Sequence, residues 1–471
     1  MGLAHPAHHK KSATIKNGAD MSLSTPARNN LIARELKRID GHTPRGKIKT
    51  GKHLKMAANP FRFLRGAAQL FYADLKSGAL TLPDSFNDRC GITTVMGDCH
   101  VANFGLLTEE GSHGDTIIFC PNDFDDACIG LAGWDLTRFC SSLFLAADYA
   151  DGIIHDDYDS DEITKTDGLK ATNQKDARAA AKAFLKSYRK ALKTIISDPD
   201  ARRMAVDTFE DDDILADARK KALKRAAGGK NFETKSSLGK AVERTAEGPR
   251  FRDRPERFKR LDAATYSEVK KMFRPYVDDS VLDIVLRLDA GTGSVNMDRY
   301  YLLVGPDAVQ TVDDFALCHI VEVKQQREAA PIHHFPDISP NNALNPAHLS
   351  VDCQRVMQRR PDMVLDEAVW RGAHWLIRSR HHTRVGLDPE DICLAQKKPG
   401  KQLKQYAKAC GTALALAHAR GDLRSTRFER HMADAIAKDA DALIDAAEDY
   451  ADQSMVDCLT LQKMVFPPVL S

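Results

Sequence analysis

Two short polar motifs constrain the fold of this chain more than any other feature of its sequence. The first, Gly97–Asn103, reads Gly-Asp-Cys-His-Val-Ala-Asn, and the second, Asn122–Ala127, reads Asn-Asp-Phe-Asp-Asp-Ala. Each motif follows a short run rich in β-branched and apolar residues, Gly91–Met96 and Thr116–Cys120 respectively. Such runs predict strands that end in polar loops. We therefore expect the two motifs at strand ends, where loop side chains converge on one site.

The chemistry of the motifs follows from the spacing of their carboxylate and amide groups. Asp98 and Asn103 stand five positions apart, and the second motif supplies Asp123 and Asp125. This is the D-x-x-x-x-N spacing of a kinase catalytic loop. Mg²⁺ must be held against an anionic triphosphate by hard oxygen ligands. The pattern predicts Asp98 as the catalytic carboxylate and Asn103, Asp123 and Asp125 as magnesium ligands, with His100 fixing the catalytic loop by a hydrogen bond.

Other interpretations of the same residues are less favoured. A Gly-Asp-x-His segment also occurs in metallophosphoesterases, but that class requires a downstream Gly-Asn-His, which this chain lacks. The acidic residues of the second motif would also suit a solvated turn. The order of the two motifs, with Trp134-Asp135-Leu136 behind them, favours a catalytic site.

The motifs resemble those of small-molecule kinases. The first resembles the Gly-Asp-x-His-x-x-Asn loop of the aminoglycoside and choline phosphotransferases, and Trp134-Asp135-Leu136 resembles the segment whose Asp braces that loop. Within that superfamily the whole pattern resembles an uncharacterised bacterial group, domain-of-unknown-function family 2252. The segments that carry this resemblance are Lys55–Gly66, Gly97–Gly105, Asn122–Asp126 and Ala415–Arg420. It is closest over about 52–150 and extends over about 283–460.

The later part of the chain has the order of a kinase nucleotide lobe. Strand-like segments at Val281–Leu288, Tyr300–Val304 and Ile320–Lys324 surround a glycine loop at Gly291–Val295. Glycine lets backbone N–H groups approach phosphate oxygens closely. An alternating strand that ends in a lysine places a point charge on the same phosphates.

This order, taken with the resemblance, implies an ATP site. The residues expected to anchor the ATP phosphates are Gly291, Gly293, Ser294 and Lys324. The resemblance implies Asp352 as the acidic partner of Lys324, with Glu328 as the alternative. It also implies a hinge strand at Trp375–Ile377, with adenine packed nearby.

In an ordinary kinase the glycine loop and lysine precede the catalytic loop, whereas here the catalytic loop comes first. Helix 402–420 resembles the helix that normally leads into the catalytic loop, yet it lies near the end of the chain. We therefore expect an α+β, two-lobed, protein-kinase-like fold that is circularly permuted. Four parts are expected: a mobile basic arm at 1–50, a catalytic-loop lobe at 51–280 with a charged helical insertion at about 155–280, a β-rich nucleotide lobe at 281–378 and closing helices at 379–471.

Apolar periodicity predicts the helices. A short helix is expected at 29–38, and longer ones at 60–78, 136–149 and 176–196.

Composition limits the partners and the compartment. With 68 basic and 66 acidic residues the formal net charge is +2, so nothing favours nucleic acid or a membrane as a partner. No apolar run is long enough to span a bilayer. The ten cysteines form no Cys-x-x-Cys pair, which favours a reducing, cytoplasmic compartment. The basic stretch 218–260 is typical of a solvated face, with contact to an anionic substrate as the alternative.

Three functions remain at this point. The first is ATP- and Mg²⁺-dependent phosphoryl transfer to a hydroxyl of an unidentified small molecule. The second is nucleotidyl transfer on the same fold, and the third is a pseudokinase that binds nucleotide or a partner. Asp98 and Asp123 favour catalysis, while the altered glycine loop, with Asn296 where the family pattern has glycine, favours the pseudokinase. Arg65 is expected either to pair with a substrate carboxylate or phosphate or to form a structural salt bridge.

Overall fold

The computed structural model describes residues 25–45, 50–288, 297–423 and 425–466. The predicted phosphate-anchoring residues Gly291, Gly293 and Ser294 lie outside the described residues. The fold class is α+β, as predicted.

Helices dominate both ends of the described chain. The α-helices are α1 (Thr25–Asp40), α2 (Gly51–Met56), α3 (Pro60–Gly66), α4 (Ala68–Ser77), α5 (Asp84–Asn87), α6 (Ala132–Ile154), α7 (Gln174–Ser197), α8 (Ile214–Arg225), α9 (Phe232–Lys235), α10 (Ser237–Ala241), α11 (Ala263–Phe273), α12 (Val312–Ala316), α13 (Pro346–Met357), α14 (Pro389–Cys393), α15 (Pro399–Gly421) and α16 (Arg427–Val465). No helix of the described residues has the length and apolar character needed to cross a membrane.

The strands lie mainly in the middle of the chain. They are β1 (Ile92–Val95), β2 (Phe104–Thr108), β3 (Ile117–Pro121), β4 (Cys128–Leu131), β5 (Lys170–Ala171), β6 (Val242–Thr245), β7 (Gly248–Phe251), β8 (Phe258–Arg260), β9 (Ser280–Arg287), β10 (Arg299–Gly305), β11 (His319–Gln326), β12 (Leu365–Trp370), β13 (Ala373–Arg380), β14 (Val385–Gly386) and β15 (Leu394–Ala395). The strands predicted before each motif and around the lysine are therefore confirmed.

The helical part of the molecule is built around α6, α7, α15 and α16. Helix α7 packs against α15, α16 and α6, and it carries a capping box in which Asn173 and Asp176 satisfy each other's backbone groups. The rings of Phe139 and Phe184 stack at 4.1 Å where α6 meets α7. Helix α7, which lies within the stretch predicted as a charged helical insertion (about 155–280), is thus a central element of this core.

A six-stranded antiparallel sheet forms the other part of the molecule, in the order β12-β13-β11-β10-β9-β8. Helix α11 covers one face, where Phe273 packs with Trp375 and Ile377. The boundary predicted at residue 281 is wrong, because β8 pairs with β9 and so belongs to this sheet. Helix α13 packs beside β12 and β13 through Val351 and Leu376.

The N-terminal helix also corrects a prediction. The mobile-arm interpretation does not hold for 25–40, which form α1 rather than a short helix at 29–38. Arg28 on this helix donates hydrogen bonds to the buried carboxylates of Asp74 and Asp457, at 2.9 Å in each case. These bonds attach α1 to α4 and α16.

The helix predicted at 60–78 is divided into α3 and α4. Ala67 has a non-helical backbone (φ −124°, ψ 37°), which ends one helix and begins the next. Gly66 lies against Met56, where an added Cβ would be 2.4 Å from the Cγ of that side chain. The break therefore accompanies a close approach of α2 to α3.

Candidate active site

A polar cavity of about 240 Å³ lies between the helical part and the six-stranded sheet. The catalytic loop and the second motif form one side, and strands β10, β11 and β13 form the other. The described residues lining it are Arg65, Met96, Asp98, His100, Ala102, Asn103, Asp123, Asp125, Asp126, Met297, Arg299, Glu322, Lys324, Gln326, Arg327, Arg378, Arg380 and Arg384. Of the described residues predicted to be catalytic, to bind metal or to anchor the phosphates, the structure brings together Asp98, His100, Asn103, Asp123, Asp125 and Lys324. Asp352, Glu328 and the predicted hinge residues Trp375–Ile377 do not line the cavity.

The catalytic loop is held at its first residues by buried hydrogen bonds. Asp135 of α6 accepts bonds from the backbone N–H groups of Met96 (2.7 Å) and Gly97 (3.1 Å), which is the bracing role implied by the resemblance. The hydroxyl of Tyr72 donates to the carbonyl of Gly97 at 2.6 Å. Gly97 has φ +75°, and an added Cβ would lie 1.9 Å from the carbonyl oxygen of Asp126. The turn therefore needs glycine, and it places the two motifs in contact.

The late helix α15 reaches the same loop. The Nε2 atom of His418 lies 3.1 Å from a carboxylate oxygen of Asp135, and its Nδ1 atom bonds the hydroxyl of Tyr188 at 2.8 Å. Thr93 in β1 donates to the carbonyl of His418 at 2.6 Å. A helix close to the end of the chain thus supports the loop that holds Asp98.

Asp98 lies at the floor of the cavity. Its Oδ1 atom accepts from the Nε (2.9 Å) and Nη2 (2.5 Å) atoms of Arg138, and its Oδ2 atom is 3.7 Å from the Nε2 atom of His100. Burial and repulsion from Asp126 and Asp123 raise the pKa of Asp98 to about 6, against the opposing attraction of Arg138. A carboxylate with this pKa is suited to accept a proton near neutral pH.

Arg138 is the functional residue that sequence reasoning missed. Its side chain is fully buried, its Nη2 atom also donates to the carbonyl of Leu64 at 2.7 Å, and its guanidinium lies over the ring of Phe71 at 5.6 Å. A signal was present, since Arg138 is a cation within the otherwise apolar middle of α6, and charged residues are rarely buried without a partner.

His100 and Asn103 organise the loop around Asp98. The Nδ1 atom of His100 accepts the backbone N–H of Ala102 at 3.2 Å, which is the predicted loop-fixing hydrogen bond. Burial, followed by the positive charges of Arg65 and Arg138, lowers the pKa of His100 well below its ordinary value. The amide of Asn103 donates to the carbonyl of Asp98 at 2.8 Å, so its side chain is held beside the catalytic loop.

The second motif places Asp123 and Asp125 in the cavity on the same side as the catalytic loop. The backbone N–H of Asp125 donates to Asp123 at 3.3 Å. Burial and the negative charge of Asp125 raise the pKa of Asp123. Burial opposes ionisation of Asp125 as well, but Lys324 and Arg378 outweigh it and lower the pKa of that carboxyl.

Lys324 projects from β11 and pairs with the carboxylate of Asp125. The predicted partner, Asp352, is wrong: it lies on the outer side of α13, with a side chain 44% exposed and 3.1 Å from His348. The alternative, Glu328, is not the carboxylate that Lys324 contacts either, because the ion pair is with Asp125. Sequence spacing did not reveal which face of α13 meets the sheet.

Asp126 has a structural role beside these residues. Its carboxylate accepts two bonds from Arg327, at 2.9 and 3.2 Å, and one from the backbone N–H of Ala330 at 2.7 Å. A carboxylate held by three donors anchors the second motif to the segment that follows β11.

The strand predicted as the hinge lies inside the sheet. Trp375 and Ile377 belong to β13, and their side chains pack on the face away from the cavity with α11. Because side chains alternate along a strand, Arg378 and Arg380 of the same strand are turned toward the cavity. The side chains of Trp375 and Ile377 therefore do not line the cavity, and the packing of adenine near this strand stays a prediction.

The donor set suits a hard divalent cation. Asn103, Asp123 and Asp125 line one cavity, and the Oδ1 atom of Asp125 is buried with no hydrogen-bond partner among the described residues. Carboxylate and amide oxygens are preferred ligands of Mg²⁺. These three side chains are the ones that would hold the ion.

Comparison with known proteins identifies the family of this chain. The model of an uncharacterised protein family conserved in bacteria, domain-of-unknown-function family 2252, matches residues 47–159 and 168–463. The chain belongs to this family. No curated protein and no solved structure matches it.

Proposed function

We propose that this chain is a Mg²⁺-dependent phosphotransferase that moves the γ-phosphoryl group of ATP to a hydroxyl of a small molecule. The observation that carries the proposal is the meeting of Asp98, the Asn103–Asp123–Asp125 oxygen set and Lys324 in one cavity. Phosphoryl transfer requires these three functions together: a carboxylate for the incoming hydroxyl, metal ligands and a cation on the phosphates.

The proposed fold is a circularly permuted kinase-like one. Two antiparallel strands, β9 and β10, flank the glycine segment, and β11 carries the lysine. Helix α13 follows the lysine strand, as the helix that pairs with the lysine does in kinases. Helix α15 supports the catalytic loop although it follows that loop in sequence. These features support permutation without altering the roles of the site residues.

The mechanism follows from the positions of the side chains. Asp98 accepts or orients the proton of the acceptor hydroxyl, and Arg138 keeps the carboxylate pointed into the cavity. Mg²⁺, when bound by Asn103, Asp123 and Asp125, neutralises charge on the phosphates. Lys324 exchanges its bond to Asp125 for the phosphate chain. Most of the rate gain comes from positioning and charge neutralisation.

We also propose that the protein works in a reducing, cytoplasmic compartment. All ten cysteines are free thiols and nine of them are buried, so the fold described here uses no disulfide.

The cavity volume of about 240 Å³ supports a small-molecule acceptor rather than nucleic acid.

Calorimetric titration of ATP with Mg²⁺ tests the proposal. We expect binding to wild type, loss of metal-dependent binding in Asp123→Ala, and no change in the matched control Asp307→Ala, whose carboxylate is exposed and outside the cavity. Binding that ignores Asp123 would favour the pseudokinase. No binding to folded protein would reject the nucleotide site.

Product analysis separates the remaining chemistry. With Asp98→Asn we expect ATP binding to persist while ADP release in an acceptor screen falls by about a thousandfold, since about 4 kcal/mol of barrier is involved. Release of pyrophosphate instead of ADP by wild type would establish nucleotidyl transfer.

A further inference from the structure

The cavity is lined by more cations than anions. Among its described lining residues, seven are cationic and five carry carboxylates, which leaves an excess of two positive charges. The cationic residues are Arg65, Arg299, Lys324, Arg327, Arg378, Arg380 and Arg384. The carboxylates are those of Asp98, Asp123, Asp125, Asp126 and Glu322. Such a cavity attracts a ligand with several negative charges.

The side of the sheet that faces the cavity is a layer of charged side chains. Glu322 in β11 is buried and lies 3.0 Å from Arg299, 2.9 Å from Arg378 and 3.5 Å from Arg380. Burial opposes its ionisation, but the three arginines lower the pKa of Glu322 well below its ordinary value. One carboxylate therefore serves three guanidinium groups and leaves positive charge on this face.

Arg384 adds a further cation to the cavity. It follows β13, and its guanidinium makes no hydrogen bond or ion pair with another side chain in the part of the chain that the structure describes. The charges of Arg380 and Arg378 repel it, while those of Asp123 and Glu322 attract it. Because its side chain is exposed, solvent screens these interactions, and the guanidinium stays open to an anionic ligand.

The part of this cavity that described residues form offers little surface for a purine base. Its apolar lining among the described residues consists of Met96, Ala102 and Met297. Sites for flat organic groups are usually lined by apolar and aromatic side chains. Of the aromatic residues of the neighbouring strands, Tyr300 and Trp375 pack on the opposite face of the sheet with α11. Tyr301 lies on the same face as Arg380, where it packs with Phe251 and Phe258 and does not line the cavity.

We propose that the site recognises the phosphate chain of its donor and not the base. The donor class is a linear polyphosphate chain, carried by any nucleoside triphosphate or present as inorganic tripolyphosphate. This inference rests on the proposed function and widens its donor from ATP to any molecule that carries such a chain. In the reaction the acceptor oxygen forms a bond to the terminal phosphorus, and the bond from that phosphorus to its bridging oxygen breaks. The hydroxyl proton passes to Asp98, and a nucleoside diphosphate or pyrophosphate leaves.

Calorimetry with four magnesium complexes tests the inference: those of ATP, GTP, CTP and tripolyphosphate. Dissociation constants within about tenfold of one another would support recognition of the phosphate chain. If ATP binds more than about tenfold more tightly than GTP, CTP and tripolyphosphate, the inference is wrong. The phosphotransferase proposal would then remain intact. If none of the four binds to folded protein, the proposed function itself fails.

A pair of arginine variants sharpens the test. Arg384→Gln should weaken the binding of ATP and of tripolyphosphate by the same factor, about tenfold, because each ligand loses one charge-assisted contact. The control Arg360→Gln, with a side chain 60% exposed and outside the cavity, should leave both affinities unchanged. If Arg384→Gln weakens the binding of ATP but not that of tripolyphosphate, Arg384 contacts the nucleoside, and the inference is wrong. Thermal unfolding of both variants verifies that they remain folded.

Discussion

At the scale of single residues, Asp98 presents its two carboxylate oxygens to different neighbours. Arg138 binds Oδ1 through two nitrogens, while Oδ2 faces His100 across 3.7 Å. Burial alone favours the protonated acid, and the guanidinium restores part of the ionisation. Arg138 therefore offsets part of the rise that burial and the neighbouring carboxylates cause in the pKa of the proposed base.

Replacing Arg138 should move the pH dependence of catalysis. In Arg138→Gln the pKa of Asp98 rises from about 6, because the stabilising cation is lost. The acid limb of the kcat profile should shift upward by roughly one unit or more. Arg138→Lys, which retains the charge, should return the limb toward its wild-type position. The profile is measured by ADP release between pH 5 and 8, and an unshifted limb in Arg138→Gln would exclude Asp98 as the titrating group.

Gly97 is the second residue whose replacement is informative. Gly97→Ala combines a left-handed backbone with a Cβ only 1.9 Å from the carbonyl oxygen of Asp126, and should cost about 3 kcal/mol or more. Gly168→Ala is the matched control, because its φ is the same, +75°, and an added Cβ would meet nothing within 4 Å. It should cost about 1 kcal/mol. Urea unfolding measures both, and equal losses would contradict the packing argument.

At the scale of elements, α1 shows how one ion-pair cluster attaches a segment to the fold. Arg28 bridges Asp74 on α4 and Asp457 on α16, and all three side chains are buried. Composition predicted a mobile arm here because the flanking residues are polar and basic. The acidic partners lie far away in sequence, so the pairing was not visible in the local pattern.

Truncation of this arginine should destabilise the protein strongly. Arg28→Ala leaves two buried carboxylates without their cation and should cost about 3–5 kcal/mol. Arg34→Ala on the same helix, with a side chain 70% exposed, should change stability by less than about 0.5 kcal/mol. Denaturant unfolding compares the two variants. If both variants change the free energy of unfolding by similarly small amounts, α1 does not unfold cooperatively with the rest of the protein.

At the scale of the whole molecule, the helical part and the sheet meet around buried histidines as well as at the cavity. His382 follows β13 and is buried, with an Nδ1 atom that has no hydrogen-bond partner among the described residues. Burial, followed by the charges of His319 and His381, lowers the pKa of His382 to about 3. Its neutral form is therefore part of the folded state.

This histidine should make the protein sensitive to mild acid. Between pH 6.5 and 3 the unfolded chain binds a proton at His382 that the folded chain does not, so stability is complete above pH 6.5 and is lost as the pH falls. The loss should be about 2 kcal/mol at pH 5. His382→Gln should reduce the difference in unfolding free energy between pH 7 and 5, whereas His155→Gln, with a side chain 51% exposed, should not. An unchanged difference in His382→Gln would contradict this account.

The sequence by itself determined the parts of the site that depend on short-range geometry. Asp98, His100 and Asn103 belong to one loop, and backbone connectivity alone places them together. The strands before the two motifs and several of the longer helices also followed from apolar periodicity, because one buried face is needed wherever an element packs. The order of the two motifs and the lysine strand along the chain could likewise be read directly from residue numbers.

Only the tertiary structure decided which distant groups meet. Asp125 rather than Asp352 pairs with Lys324, because α13 turns its acidic side outward. Side chains alternate along β13, but only the packing of one face of the strand against α11 shows that its arginines, Arg378 and Arg380, face the cavity. A buried charge is stabilised by whichever opposite charge the packing brings within a few ångströms, and that partner can stand anywhere in the chain.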